Sequence, residues 1–302
     1  MLPMTPACPS PADHPPQWFT TALATPAEQA STTVDGAAIA YRSWGSGADR
    51  GLVLVHGGAA HSRWWDHVAP LLTGAGKVVA LDLSGHGDSD RRDSYDLDTW
   101  AHEVHAVAAA AGFSRPPVVI GHSMGGFVTL RAAALFEAQI DGAIVVDTAV
   151  RDITPEELAA RERRAFGPLR TYPDRQTALA RFRTVPEQRT LPYIAAHVAE
   201  TSIRAVEGGW TWKFDPRIFL RPHFSPDLLT RPDCRVAVFR AQHGIVSTEI
   251  SAAMYDRLGR AAPVIEIPAA GHHVMLDQPL ALVTGVRTLL ADWDHSKPET
   301  PG

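Results

Sequence analysis

Two cysteines stand in a chain of 302 residues, Cys8 and Cys234, far apart and in unlike surroundings. So sparse a supply excludes a disulfide framework and a cysteine metal cluster, and it suits a reducing, cytoplasmic setting. Long apolar runs are missing as well. Nothing approaches the ~18 residues that a membrane span requires, so no membrane partner is expected. Positive charge is not in excess either: 28 Lys+Arg against 33 Asp+Glu leave a net charge of −5, which offers no footing for nucleic acid. The first residues, 1–17, are rich in proline but lack the basic start and apolar core of a signal peptide. Residues 1–30 are therefore read as a flexible lead-in, and 296–302 as a C-terminal tail.

The composition that remains is 45% hydrophobic and 20% charged, and it suffices for one large α/β domain. Asp35-Gly36 between two strand-like runs makes a hairpin turn. Continuous apolar runs at 51–56, 77–81, 117–120 and 143–146 read as fully buried strands. Helical spacing separates them at 64–72, 99–111 and 127–137. This alternation predicts a doubly wound, mostly parallel sheet with an antiparallel start. From 151 to 231 the strand runs vanish and arginine becomes frequent, with 14 Lys+Arg against 10 Asp+Glu. Helical segments are expected there at 155–164 and 176–182, and strand–helix alternation resumes at 235–239, 249–258, 264–267 and 280–293. The economical division is a core of residues 31–150 and 232–295 interrupted by a helical insertion over 151–231.

The most informative stretch is Val118-Val119-Ile120-Gly121-His122-Ser123-Met124-Gly125-Gly126. A buried strand stops, the backbone reverses and a helix begins. Gly121 and Gly125 remove the Cβ atoms that would collide across so tight a turn, leaving Ser123 at its apex as a candidate nucleophile. A serine hydroxyl needs a base, and the base needs an orienting acid. His272, in Ala269-Ala270-Gly271-His272, follows the last strand and falls at the same edge of the sheet as Ser123. His273 is adjacent and remains an alternative base. For the acid, the loop Ala241-Gln242-His243-Gly244-Ile245-Val246 contains no carboxylate. Asp147, closing the apolar run Ile144-Val145-Val146, is the preferred acid because a charge there needs a partner or a function. Asp152 is the weaker substitute. The turn His56-Gly57-Gly58-Ala59-Ala60 can direct amides inward, so the Gly58 and Met124 amides are the expected oxyanion donors.

Together these pieces resemble the α/β-hydrolase superfamily from about Thr32 onward. The carriers are His56-Gly57-Gly58, Asp82-Leu83-Ser84-Gly85-His86-Gly87-Asp88-Ser89, Gly121-His122-Ser123-Met124-Gly125-Gly126, and Gly271-His272-His273-Val274-Met275-Leu276-Asp277-Gln278-Pro279. The resemblance implies an α/β-hydrolase fold with the insertion as a helical cap, and the order nucleophile, acid, histidine matches Ser123, Asp147, His272. Many members carry the acid after the strand that follows the cap, where Gly244 leaves the place empty; some carry it where Asp147 stands. Relatives with an aspartate nucleophile, the haloalkane dehalogenases and epoxide hydrolases, are set aside because Ser123 occupies that position. Expected chemistry is then hydrolysis of esters or lactones through an acyl-enzyme. Carbon–carbon bond hydrolysis of meta-cleavage diketones and a slow-turnover ligand receptor are the alternatives. Trp64, Trp65, Trp210, Trp212 and Phe214 are candidate pocket walls for an apolar or aromatic small molecule, with Phe182 and Tyr193 of the insertion as further aromatics. No cofactor and no metal are expected, and the assembly is expected to be a monomer or homodimer.

Overall fold

Alternate residues of the central strands face opposite ways, and both faces are covered. In the computed structural model, which describes residues 14–47, 51–156, 169–220 and 233–296, Leu52 and Leu54 enter one hydrophobic cluster while Val53 and Val55 enter another. The period of two and the uninterrupted apolar run are thus both explained by a sheet buried on two sides.

That sheet has eight strands: β1 (Glu28–Val34), β2 (Ala37–Trp44), β3 (Gly51–Val55), β4 (Lys77–Leu81), β5 (Val118–His122), β6 (Gly142–Val146), β9 (Arg235–His243) and β10 (Val264–Gly271). They lie side by side in the order β1-β2-β4-β3-β5-β6-β9-β10. The β1–β2 and β2–β4 pairings are antiparallel, and every other pairing in the sheet is parallel. The doubly wound sheet with an antiparallel start is therefore present as expected.

One face is covered by α1 (Gln17–Ala24), α2 (Ala69–Leu72) and α9 (Pro279–His295), which bring Phe19, Leu72, Leu290 and Trp293 onto Leu54, Ile120 and Ile144. The other is covered by α3 (Leu97–Ala110), α4 (Met124–Leu135) and α7 (Thr248–Arg257) through Trp100, Val104, Val128 and Met254. The remaining helices are α5 (Arg175–Leu179) and α6 (Pro192–Thr201) in the insertion and α8 (Val274–Asp277) after β10. The α3 N-terminus is set by Asp96, whose carboxylate accepts the Thr99 amide at 2.7 Å.

Three expectations need correction. The lead-in is shorter than 30 residues: α1 buries Phe19 against the core, and β1 begins at Glu28. A short amphipathic helix buried by tertiary packing carries little signal of its own. The insertion is not wholly helical, since β7 (Ile203–Val206) and β8 (Gly209–Trp212) form an antiparallel hairpin. Its turn relies on Gly208 and Gly209, both with positive φ, +81° and +146°. The segment 64–72 is not one helix but a 3₁₀ turn at Ser62–Trp65 followed by the four-residue α2. Most of the helix expected at 155–164 lies outside the described residues.

The consequence for function is positional. Parallel strands β3, β5, β6, β9 and β10 all end at one edge of the sheet, so the loops after them converge there.

Candidate active site

Ser123 follows β5 with φ +54° and ψ −116°, a conformation that a side chain adopts only under constraint. The constraint is visible in its neighbours. A Cβ on Gly125 would meet the Val55 carbonyl oxygen at 2.6 Å, and one on Gly121 would run into the Gly125 carbonyl. The Ser123 amide donates to the Val146 carbonyl at 2.9 Å, and the Thr148 hydroxyl donates to the Ser123 carbonyl at 3.1 Å. The elbow is thereby tied to the end of β6.

Asp147 is the next residue after β6, also at positive φ (+45°), and it is fully buried. Its Oδ1 accepts the Ala241 amide at 3.0 Å and its Oδ2 the Ile245 amide at 2.9 Å. Oδ2 also lies 2.8 Å from Nδ1 of His272. On the far side of that ring, Nε2 is 3.0 Å from the Ser123 hydroxyl oxygen. An Nδ1–H donated to the carboxylate leaves Nε2 as the acceptor for the serine proton, which is the tautomer a base requires. Ser123, Asp147 and His272 are thus brought together in one hydrogen-bonded line. The alternatives fall outside it: Asp152 is exposed, and the His273 ring packs against Trp64 with centroids 5.5 Å apart.

The structure also accounts for the missing carboxylate in the β9 loop. A Cβ built on Gly244 would collide with both carboxylate oxygens of Asp147. The acid reaching across from β6 occupies the space that a side chain at position 244 would need.

Next to the line lie two more buried histidines. His122 Nε2 bonds to the His272 carbonyl at 2.9 Å, and the His122 and His272 rings are 4.8 Å apart. Burial, followed by the neighbouring His272 and His273, holds the His122 pKa well below its usual value. Burial likewise lowers His273 to about 3, with His272 adding to the effect. One nitrogen from each of His122, His272 and His273 comes within 4.8 Å of the others, a spacing that could hold a metal ion and that the sequence did not reveal. Of these nitrogens, both of His272 are already engaged by Asp147 and Ser123.

The oxyanion candidates sit beside the serine. A Cβ on Gly57 would be 3.3 Å from Ser123 Cβ, and one on Gly58 would be 3.7 Å from Met124 Sδ. Ala59 at φ +58° reverses the chain there, and Met124 opens α4, where first-turn amides have no partner within the helix.

The Alpha/beta hydrolase family model matches residues 52–285. The chain belongs to that family. This hydrolase is 28% identical over 278 residues to Esterase Rv0045c of Mycobacterium tuberculosis, covering 85% of this chain and 88% of the relative. It is 27% identical over 286 residues to a serine hydrolase-like protein of Danio rerio, covering 85% of each. Among solved structures, E-2-(acetamidomethylene)succinate hydrolase shares the fold with a TM-score of 0.77 at 20% identity, over 88% of this chain and 99% of that one.

Two aromatic groups flank the candidate site. On the histidine side, Trp64 meets both His273 and Phe182, and Phe182 meets Trp212 at 6.1 Å between centroids. On the glycine side, Phe214 meets Phe219 edge to face, and Phe219 lies 3.6 Å from the Cβ position of Gly58. Trp65 departs from the expectation: it is 1% exposed inside the core and lines no surface. Trp210 joins the insertion's own framework, its backbone paired with Tyr172. No motif marks Phe219 or Gln188 in the sequence, and Leu276-Asp277-Gln278-Pro279 is the one signal for Asp277.

Two outcomes follow from this geometry. Gly244→Ala forces the β9 loop off the Asp147 carboxylate, and a loss of about 1–3 kcal/mol in urea unfolding is expected, the usual range for overpacking. The buried histidines give the second. A histidine whose folded pKa lies below its unfolded one contributes stability above about pH 6.5 that is lost as pH falls, at about 2 kcal/mol by pH 5 for a group such as His273. His122, His67, His56 and His61 are lowered in the same sense, whereas Asp277, raised to about 6, acts oppositely. The urea midpoint should therefore fall between pH 7 and pH 5; a flat or rising profile would contradict their neutral burial.

Proposed function

We propose that this hydrolase cleaves carboxylic esters or lactones of small apolar or aromatic compounds by nucleophilic catalysis at Ser123. The observation that carries the reading is the unbroken line from the Ser123 hydroxyl through His272 to Asp147, at 3.0 and 2.8 Å. His272 Nε2 takes the hydroxyl proton as Oγ bonds to the substrate carbonyl carbon. Asp147 keeps Nδ1 protonated and stabilises the imidazolium that forms. The carbonyl oxygen gains negative charge, which the Gly58 and Met124 amides receive. Collapse of the tetrahedral adduct breaks the bond to the leaving oxygen, which accepts the proton from His272. A water molecule, deprotonated by the same imidazole, then attacks the acyl-enzyme and releases the acid with Ser123 restored.

The environment supports apolar substrates. Trp64, Phe182 and Trp212, linked to the site through His273, and Phe214 and Phe219, linked to it through Gly58, offer aromatic faces for such a substrate. The insertion contributes all of these except Trp64, so it acts as a cap over the reacting group. A relative named as an esterase is consistent with the same reaction class.

Turnover of p-nitrophenyl butyrate tests the proposal. Ser123→Ala should abolish it, and Asp147→Asn should lower kcat on the order of 10⁴-fold by analogy with other serine triads, while Asp152→Asn should leave it near wild type. Undiminished turnover by Ser123→Ala would reject the assignment.

A further inference from the structure

The backbone on either side of His272 is held by two side chains, Asp277 from the turn just beyond it and Gln188 from the insertion. The Gly271 amide donates to Asp277 Oδ2 at 2.6 Å, and the His273 amide donates to Gln188 Oε1 at 2.7 Å. Gln188 Nε2 donates in turn to Asp277 Oδ2 at 3.0 Å, which closes a ring around the histidine's own peptide units. The fit is close, since a Cβ on Gly271 would lie 2.9 Å from Cδ and Nε2 of Gln188. Three residues further along the insertion, the Leu191 amide donates to the Leu276 carbonyl at 2.9 Å. The insertion is therefore stitched to the loop that presents the base.

The strand ladder does not hold this backbone by itself. The pairing of β10 with β9 shifts register between Ile267 and Gly271, and Ala269 sits at φ +57°. Beyond Gly271 the chain passes into a four-residue helix. The Asp277 carboxylate is costly where it stands. Burial pushes it up to about 6, and among the described residues its Oδ1 has no hydrogen-bond partner. A half-buried carboxylate with one oxygen unsatisfied is a poor stabilising device, and its two accepted bonds point instead to a part in holding the loop.

We propose that Gln188 is a positioning residue for the base: through Asp277 and the Gly271 and His273 amides, the insertion sets the distance between His272 and Ser123. The proposal rests on His272 acting as the base in the reaction above. Gln188 touches no reacting atom. It acts by keeping Nε2 at 3.0 Å from the hydroxyl, and displacement of a catalytic group by about 1 Å costs on the order of 10²-fold in rate.

Steady-state kinetics on a soluble p-nitrophenyl ester at 25 °C separate the possibilities, with His272→Ala, Gln188→Ala, Asp277→Ala and Asp277→Asn prepared side by side. Gln188→Ala should lower kcat roughly 10- to 100-fold with KM within about twofold. Asp277→Ala should do the same, and Asp277→Asn, whose amide oxygen can accept both bonds, should recover most of the loss. Thermal unfolding of each variant identifies any that is not folded at the assay temperature; should Asp277→Ala be among them, Gln188→Ala and Asp277→Asn still decide. Three results overturn the proposal. A Gln188→Ala enzyme with kcat within twofold of wild type, beside an inactive His272→Ala, removes the positioning role alone. A rise in KM at unchanged kcat places Gln188 against the substrate instead. Activity in His272→Ala removes the base, and the positioning role with it.

Discussion

The Asp147 carboxylate, wholly buried, accepts the amides of Ala241 and Ile245 as well as the Nδ1–H of His272. Each bond joins a different piece of the sheet edge: β6 carries the charge, the end of β9 and its loop supply the amides, and the loop after β10 supplies the imidazole. A buried charge is tolerable when its oxygens are satisfied, and withdrawing one partner from it is far more expensive than the pair is worth in isolation. The three loops are therefore tied together by a group that none of them can leave cheaply. Ser123 is joined to the same assembly through its amide on Val146.

Much of this was legible in one dimension because the constraints are local. Gly121 and Gly125 announce the elbow by what they lack, and the apolar runs of β3, β5 and β6 announce strands covered on both faces. Asp147 was legible for a related reason, since a carboxylate that ends an apolar run has to be accounted for. His272 was separable from His273 only by position after the last strand, and the geometry that distinguishes them, one ring in line with Ser123 and the other against Trp64, comes from packing.

What escaped sequence reading depends on contacts distant along the chain. Gln188 has no motif, and its meaning comes from Gly271, His273 and Asp277, more than 80 residues away. The β7–β8 hairpin was visible only as the alternation of Trp210 and Trp212, and α1 is too short to advertise itself before Phe19 finds the core. The gathering of His122, His272 and His273 needed the sheet to bring residues 150 apart into contact. Trp65 failed as a pocket residue for the opposite reason: tryptophan's size suits a core as well as a binding wall, and of the two buried tryptophans it is Trp64 that meets His273 and Phe182.

The packing of α1 bears on how a substrate would reach the serine under the proposed function. Phe19 and Trp18 hold the ring of Tyr193, at the start of α6, with Phe19 4.8 Å from it. In the same helix His197 bonds to Asp66, which Arg42 of β2 also engages. The insertion is thus pinned to the core by the start of the chain and by an ionic cluster, in addition to the stitch at Gln188. Lifting it as a rigid hinged flap would tear aromatic and charged contacts at once. Under the proposed function, a route that parts side chains beneath a fixed insertion would leave those contacts whole, a sieve rather than a door.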